Sequence, residues 1–252
     1  MELLIVSMAS LLAGFVDSIV GGGGLILVPA LFAVFPAAHP ATLFGTNKGA
    51  SVWGTAFATW QFSRRVEMRW AALLPAAGAG FVASFGGAWL VTVMSPDYLR
   101  KLLPLVLLVV LIYTVAKKDL GRTHTPRFSG AAEQWVAASV GALIGFYDGF
   151  FGPGTGSFLV FLFVRLLGYD FLSASASAKL VNTATNLAAL LLFVAKGHIW
   201  WHFVVAMAVA NVVGSLLGTR LALKHGTGFV RVFFMIVVSA LILKTGYDAF
   251  VR

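Results

Sequence analysis

The chain has 252 residues, of which 60% are hydrophobic and 11% are charged, and its formal net charge is +9. Soluble domains average roughly a quarter charged residues, so this composition excludes an ordinary soluble domain and indicates a polytopic membrane protein. In a membrane protein a positive charge is typical of basic cytoplasmic loops, so no nucleic-acid partner is expected. Because the chain contains no cysteine, disulfides and thiolate metal sites are excluded.

The first half of the chain begins with a glycine-broken apolar segment. Residues 3–36 are almost continuously apolar, which is too long for one straight span of about 20 residues, and a glycine run at 21–24 interrupts them. This pattern predicts a broken or re-entrant helix, and the first residues are expected to belong to it and not to a cleaved leader. Further helices are predicted at 40–62, 69–94 and 97–116, followed by a polar stretch at 117–131.

The second half repeats this order, with a broken segment at 132–168 and helices at 171–195, 199–222 and 227–250. Identical residues recur at a constant offset of 131, among them Gly14/Gly145, Asp17/Asp148, Gly21/Gly152, Lys48/Lys179, Trp70/Trp201 and Gly87/Gly218. The predicted fold is therefore all-α and polytopic, with two homologous halves. Residues 1–116 and 132–252 form the two membrane repeats, each a broken or re-entrant helix plus three transmembrane helices, and residues 117–131 link them.

The basic residues help to decide how the two halves are oriented. If the broken segments return, each half crosses the membrane three times and the halves are inverted; if these segments cross, the halves are parallel. Only the returning arrangement places the basic clusters at 64–69, 117–127 and 220–231 on one face. The positive-inside rule makes that face cytoplasmic, so we predict inverted repeats with both termini outside and a cytoplasmic linker.

Each glycine break has an aspartate before it and a lysine 27 residues after its first glycine. No G-x-x-x-x-G-K-[ST] sequence or βαβ pattern surrounds the glycines, which argues against a nucleotide site. A helix broken within a membrane exposes backbone groups, and paired breaks in two repeats are typical of a transporter binding site. The half-helices that restart near Gly24 and near Ser157 would offer N–H groups to an anion. Alternatively, the glycines only permit close helix crossing.

Lys48 and Lys179 are predicted to lie within spanning helices, where a charge costs at least about 2.5–3.5 kcal/mol and is functional by default. The alternative is that each lysine snorkels to an interface. Together with nearby hydroxyl and amide groups, two ammonium groups favour an anion, whereas a cation site would need carboxylates and carbonyls. The predicted substrate-binding residues are Gly21, Gly22, Gly23, Gly24, Asn47, Lys48, Ser51, Gly152, Gly154, Thr155, Gly156, Lys179, Asn182 and Asn186.

Asp17 and Asp148 are candidates for proton coupling, since each could pair with a lysine and release it on protonation. Equally, each could cap backbone donors at the break. The histidines lie in or near predicted loops and share no metal-ligand spacing with carboxylates. Because no nucleophile–base pair is evident either, no metal site, no cofactor and no enzyme activity are predicted.

The broken segments and the lysine regions form two paired motifs. They read AGFVDSIVGGGGLILVPAL with GTNK, and IGFYDGFFGPGTGSFLVFL with SASAKLVNTATN. Both resemble the TauE/SafE family of sulfite and organosulfonate exporters, and the resemblance extends over essentially the whole chain. It implies a bacterial inner-membrane carrier for small sulfur-containing anions such as sulfite, sulfoacetate or sulfolactate. The half-sites differ, because Ser51 stands in the first where Asn182 stands in the second.

These observations predict a secondary transporter that exports a small anion, sulfite or an organosulfonate, bound near the bilayer midplane between the repeats. An anion channel and a non-transporting membrane scaffold are the alternatives. The expected partners are the anionic substrate and the lipid bilayer, while proton coupling and a homodimer are left open.

Overall fold

The fold is described from a computed structural model, for residues 1–99 and 124–251. All regular secondary structure in these two ranges is helical. Four helices are long and apolar enough to cross a membrane: Glu2–Val20, Trp70–Val93, Phe171–Ala195 and Trp201–Val230. This confirms the predicted all-α membrane fold. Most of the predicted helix 97–116 and part of the linker 117–131 lie outside the described residues.

The described helices follow the predicted order. In the first half they are α1 (Glu2–Val20), α2 (Gly24–Val34), α3 (Pro40–Ser63) and α4 (Trp70–Val93). In the second half they are α5 (Gly130–Phe150), α6 (Thr155–Leu162), which a π-helical turn Phe163–Leu167 extends, α7 (Phe171–Ala195) and α8 (Trp201–Val251). Helix α8 breaks at Gly226, whose φ is 69°, between the two predicted helices 199–222 and 227–250.

Local sequence explains several helix ends. Asp170 caps α7, because its Oδ1 accepts hydrogen bonds from the N–H groups of Leu172 and Ser173 at 2.8 and 3.0 Å. Pro40 occupies the first position of α3, where its missing N–H costs nothing. Helix α1 ends at Gly21, which adopts the left-handed conformation with φ 81° and ψ 36°.

Each broken segment returns to the end of the molecule from which it starts. Glu133, in the first turn of α5, accepts a hydrogen bond at 2.6 Å from the hydroxyl of Tyr169, which lies beyond α6. In the first half, Val6 of α1 packs in one cluster with Leu31 of α2. This geometry agrees with the re-entrant form of the broken segments.

The repeat-related helices α3 and α7 run antiparallel. His39 precedes α3 and stacks on His198, which follows α7, with ring centroids 5.0 Å apart. Further along α3, Thr59 hydrogen-bonds at 2.9 Å to Thr183, which precedes His198 in the chain. Because α7 corresponds to α3 at the 131-residue offset, the antiparallel contact supports inverted halves. The full set of membrane crossings stays a prediction, since the helix 97–116 is part of it.

Hydrogen bonds between helices recur at the same offset. The Ser84 hydroxyl of α4 donates to the carbonyl of Thr185 in α7 at 2.8 Å. The Ser215 hydroxyl of α8 donates to the carbonyl of Gly54 in α3 at 2.6 Å. Adding 131 to the numbers of Ser84 and Gly54 gives Ser215 and Thr185, so one bond is the repeat of the other.

Close helix crossings recur in the same way. A Cβ atom on Gly87 of α4 would collide with the carbonyl oxygen of Phe146 in α5. A Cβ atom on Gly218 of α8 would collide with the carbonyl oxygen of Phe15 in α1. The first helix of each half therefore packs on a helix of the other half, and at these positions the glycines permit close crossing.

Large apolar side chains cover the outer faces of the helices. Leu74, Val82, Leu143, Val205 and Val209 are each more than half exposed. Such an extended apolar surface is unusual for a soluble monomer, and it fits contact with lipid hydrocarbon.

Candidate functional site

The two glycine breaks meet inside the protein. The N–H of Ser157 donates to the carbonyl of Gly21 at 2.7 Å. A Cβ atom on Gly21 would collide with the backbone of Gly156, so this contact requires glycine. Gly152 and Gly154 have φ values of 85° and 84°, a conformation that other residues rarely adopt. The glycines therefore have a second role besides permitting close helix crossing: they allow the backbones of the two broken segments to touch.

A small cavity lies beside this contact, between the breaks and helices α3 and α7. The cavity volume that water molecules can occupy is about 20 Å³, enough for one or two waters. Fourteen of the sixteen predicted site residues line the cavity: Asp17, Gly21, Gly23, Gly24, Asn47, Lys48, Ser51, Asp148, Gly152, Gly154, Thr155, Gly156, Asn182 and Asn186. Gly22 and Lys179 are not part of its lining.

Each predicted lysine pairs with the aspartate of the other half. Lys48 Nζ lies 2.7 Å from Asp148 Oδ2, and Lys179 Nζ lies 2.9 Å from Asp17 Oδ2. The two pairs are related by the 131-residue offset. Lys48 and Lys179 are only 2% and 0% exposed, so neither snorkels to an interface. Release of a lysine when its aspartate is protonated stays a prediction.

The two pairs differ in their surroundings. Lys48 also donates to Asn186 Oδ1 at 2.9 Å, and both members of its pair line the cavity. In the other pair only Asp17 lines the cavity, and its side chain is 15% exposed. Asp17 Oδ1 also accepts a long hydrogen bond of 3.4 Å from the N–H of Gly23, so this aspartate both pairs with a lysine and caps the break.

Several hydrogen-bonding groups around the cavity have no protein partner among the described residues. The buried Asn47 Oδ1 is one of them. The N–H groups of Gly24 and Gly156, in the first turns of α2 and α6, are others. Helix α6 starts two residues before the predicted restart at Ser157. Since first-turn N–H groups and helix dipoles favour negative charge, the cavity offers donors to an anion.

The family model described as sulfite exporter TauE/SafE matches residues 6–245. This chain belongs to the TauE/SafE family. Among curated relatives, "Probable membrane transporter protein YfcA" of Escherichia coli K12 is 37% identical over 240 residues, which cover 95% of this chain and 88% of the relative. "Probable membrane transporter protein ORF9" of Sinorhizobium sp is 35% identical over 237 residues, covering 94% and 89%. A "Probable membrane transporter protein" of Haemophilus influenzae is 33% identical over 240 residues, covering 94% and 91%.

No solved structure matches the chain. The family and the curated relatives, together with the apolar helices, identify this TauE/SafE protein as a multi-pass membrane transporter.

In this TauE/SafE protein three cavity residues lie outside the predicted set: Ala13, Thr55 and Asn211. The sequence places Thr55 on the helix face of Lys48, two turns after it and in correspondence with Asn186 at the 131-residue offset, although it is not in the predicted substrate-binding set. Asn211 corresponds to Gly80, so the repeat comparison gives no signal for it. It enters the site because α8 packs against α1, where the Asn211 amide donates to the carbonyl of Ser10 at 3.0 Å.

The described residues contain no group of three or more His, Asp or Glu side chains placed to hold a metal ion. The polar groups around the cavity are two carboxylates, one ammonium, four amides, three hydroxyls and the backbone of the breaks. This set can exchange protons and hydrogen-bond a small polar ligand.

Proposed function

We propose that this TauE/SafE transporter is a secondary carrier that exports a small anion, sulfite or an organosulfonate, through the cavity between the two breaks. The observation that carries the proposal is the crossed arrangement of the two buried lysine–aspartate pairs around the junction of the breaks. Each pair joins α3 or α7 of one half to the broken segment of the other half. A ligand that competes for one of these lysines therefore acts on the contact between the halves.

The pairs suggest how an anion and a proton are coupled. While Asp148 is ionised, it neutralises Lys48, and an anion would have to displace a buried carboxylate at 2.7 Å. Protonation of Asp148 removes this competing charge. Lys48 then keeps its bond to Asn186 and has donors left for the anion, which the N–H groups of Gly24 and Gly156 also reach.

The energetics of this coupling are compatible with export. A divalent anion that leaves with one proton still carries one negative charge outward. An inside-negative potential favours that step by about 2.3 kcal/mol per 100 mV. The central cavity of about 20 Å³ is too small for a sulfonate, so transport requires the two halves to move apart around it.

Binding can be tested by thermal unfolding of the purified protein with sodium sulfite, thiosulfate, sulfate, sulfoacetate, taurine, acetate or chloride at equal ionic strength. A ligand that binds only the folded protein raises the unfolding midpoint by mass action. We expect a selective rise with a sulfur oxyanion or a sulfonate.

The matched variants are Lys48→Ala and Lys179→Ala in the two pairs, and Lys196→Ala as an exposed control just after α7. Each variant is compared with its own midpoint without ligand, so that a change in basal stability does not interfere. The rise should persist in Lys196→Ala and vanish in Lys48→Ala. A rise of equal size in all three variants would overturn the site, and the absence of any selective rise would overturn the substrate class.

We further propose that the protein resides in a bacterial inner membrane, with both termini outside and the linker 117–131 in the cytoplasm. One end of the structure collects Arg64, Arg65, Arg220 and Lys224, which supports this orientation. Since the chain lacks cysteine, single-cysteine labelling is free of background. A membrane-impermeant maleimide should label Ala37→Cys and not His225→Cys in intact cells, and the reverse pattern would contradict the orientation.

A further inference from the structure

The end of α3 and the part of α8 just before its break at Gly226 form a groove lined by four basic residues. The groove has a volume of about 380 Å³, and its lining residues are Trp60, Gln61, Arg64, Arg65, Arg220, Leu223 and Lys224. No acidic side chain lines it, and none of the four basic residues forms a salt bridge with another described residue. Such a cluster, which no described acidic residue compensates, attracts anions.

An apolar stripe leads into the groove along each helix. The stripe residues are spaced three or four positions apart, so each set lies on one helix face, and all are between 42% and 64% exposed. They are Trp53, Phe57 and Trp60 on α3, and Val209, Val213 and Leu217 on α8. Arg64 follows Trp60 by four positions and Arg220 follows Leu217 by three, so each stripe ends at a cation.

The charged end of the groove is organised by its own contacts. The guanidinium carbon of Arg64 lies 5.0 Å from the ring centroid of Trp60, a cation–π contact that holds this cation at the end of the aromatic stripe. Arginine binds phosphate oxygens in a bidentate manner, and three of the four cations are arginines.

The duplicated fold does not explain this cluster. The positions related to Arg64, Arg65, Arg220 and Lys224 by the 131-residue offset carry Ala195, Lys196, Trp89 and Val93. Only one of these four related positions, Lys196, carries a cation. The helices correspond at the 131-residue offset, but the related positions hold no second cluster of four cations.

We propose that this groove binds an anionic phospholipid, with its phosphate-bearing headgroup among the four cations and its acyl chains along the two apolar stripes. Basic pockets between helices on the cytoplasmic side of a membrane are suited to acidic headgroups. A free phosphate shares the headgroup chemistry, but it makes no use of the stripes. The proposal does not depend on the identity of the transported anion.

The test titrates the full-length protein in detergent with phosphatidylglycerol and with phosphatidylcholine, and native mass spectrometry counts the bound lipids. The variant Arg64→Gln/Arg220→Gln removes one groove cation from each helix. Arg127→Gln/Arg165→Gln removes two exposed basic residues outside the groove and serves as the matched control. We expect phosphatidylglycerol to bind about thirtyfold more weakly to the groove variant and with unchanged affinity to the control.

Three outcomes would overturn the proposal. If phosphatidylglycerol binds equally weakly to both double variants, the loss of affinity is due to the overall charge of the protein and not to the groove. Displacement of the lipid by millimolar inorganic phosphate would make a free anion the occupant. A dimer that disappears in Arg64→Gln/Arg220→Gln would assign the groove to a second copy of the chain. If this variant unfolds, Arg65→Gln/Lys224→Gln makes the same comparison at the other two cations.

Discussion

Lys48 and Lys179 occupy equivalent positions in the two repeats, and each contacts an aspartate of the other half, at 2.7 and 2.9 Å. Lys48 and its partner Asp148 are both fully buried and line the cavity. Lys179 is buried but does not line the cavity, and its partner Asp17 is partly exposed. The same interaction thus occurs twice at the 131-residue offset, and the two copies have different surroundings. We propose that the Lys48 pair meets a ligand directly, whereas the Lys179 pair joins α7 to the first broken segment.

The largest expected difference between the pairs is in stability. Asp148→Ala leaves the Lys48 ammonium buried without its counter-charge, which should cost about 3–5 kcal/mol in the free energy of unfolding. Asp17→Ala also leaves a buried ammonium, that of Lys179, but it should cost less, because the Asp17 side chain is 15% exposed and water can enter the space that its carboxylate vacates. Denaturant unfolding in detergent compares the two variants.

A matched control separates the charge from the loss of volume. Lys48→Met/Asp148→Leu replaces the whole pair by apolar side chains and should recover most of the stability lost in Asp148→Ala. Equal costs for Asp148→Ala and Asp17→Ala, or no recovery in the double variant, would show that the two pairs are energetically alike.

Unlike the two charged pairs, the close helix crossings at Gly87 and Gly218 should contribute equally to stability. Gly87→Ala and Gly218→Ala each place a Cβ atom against the backbone of the facing helix, so each should cost about 1–3 kcal/mol through a backbone shift. Gly86→Ala is the control, because no atom lies within 4 Å of its Cβ and alanine favours the helix. Thermal unfolding of the three variants measures this, and a neutral Gly218→Ala beside a costly Gly87→Ala would contradict the equivalence.

The smallest expected effect concerns the repeated interhelical hydrogen bond. Ser84→Ala and Ser215→Ala should each lower the free energy of unfolding by about 1 kcal/mol, because each removes one buried donor from a helix carbonyl. Ser63→Ala, whose hydroxyl bonds locally at an exposed position, should be nearly neutral. If the unfolding curves of Ser84→Ala and Ser215→Ala differ strongly, the two interhelical hydrogen bonds contribute unequally to stability, and the helix packing of the two halves is not equivalent.

Much of the architecture can be predicted from the sequence, because helices and breaks depend mainly on residues that are close together in the chain. The apolar runs predict the helices, the glycines predict the breaks, and the 131-residue offset predicts which side chains correspond. The pairing of lysine with aspartate was foreseeable too, because a buried charge needs a partner. The exchange of partners between the halves was not, since it depends on how two breaks cross in space.

The remaining site residues depend on packing between distant helices. Asn211 joins the cavity only because α8 lies on α1, and no pattern within α8 indicates this. Lys179 shares its sequence context with Lys48, yet it does not line the cavity. In the same way, the basic residues at 64–65 and 220–224 indicate orientation in the sequence, whereas their meeting in one groove appears only in the folded protein.

The most direct test of the central claim measures efflux of labelled sulfite and sulfoacetate from proteoliposomes with an imposed proton gradient. Wild-type protein and Gly86→Ala should transport at least one of these anions, faster when the lumen is acidic. The apolar replacement Lys48→Met/Asp148→Leu, although folded, should show no flux above empty liposomes. Wild-type flux in that double variant would contradict the assignment of the cavity as the anion site.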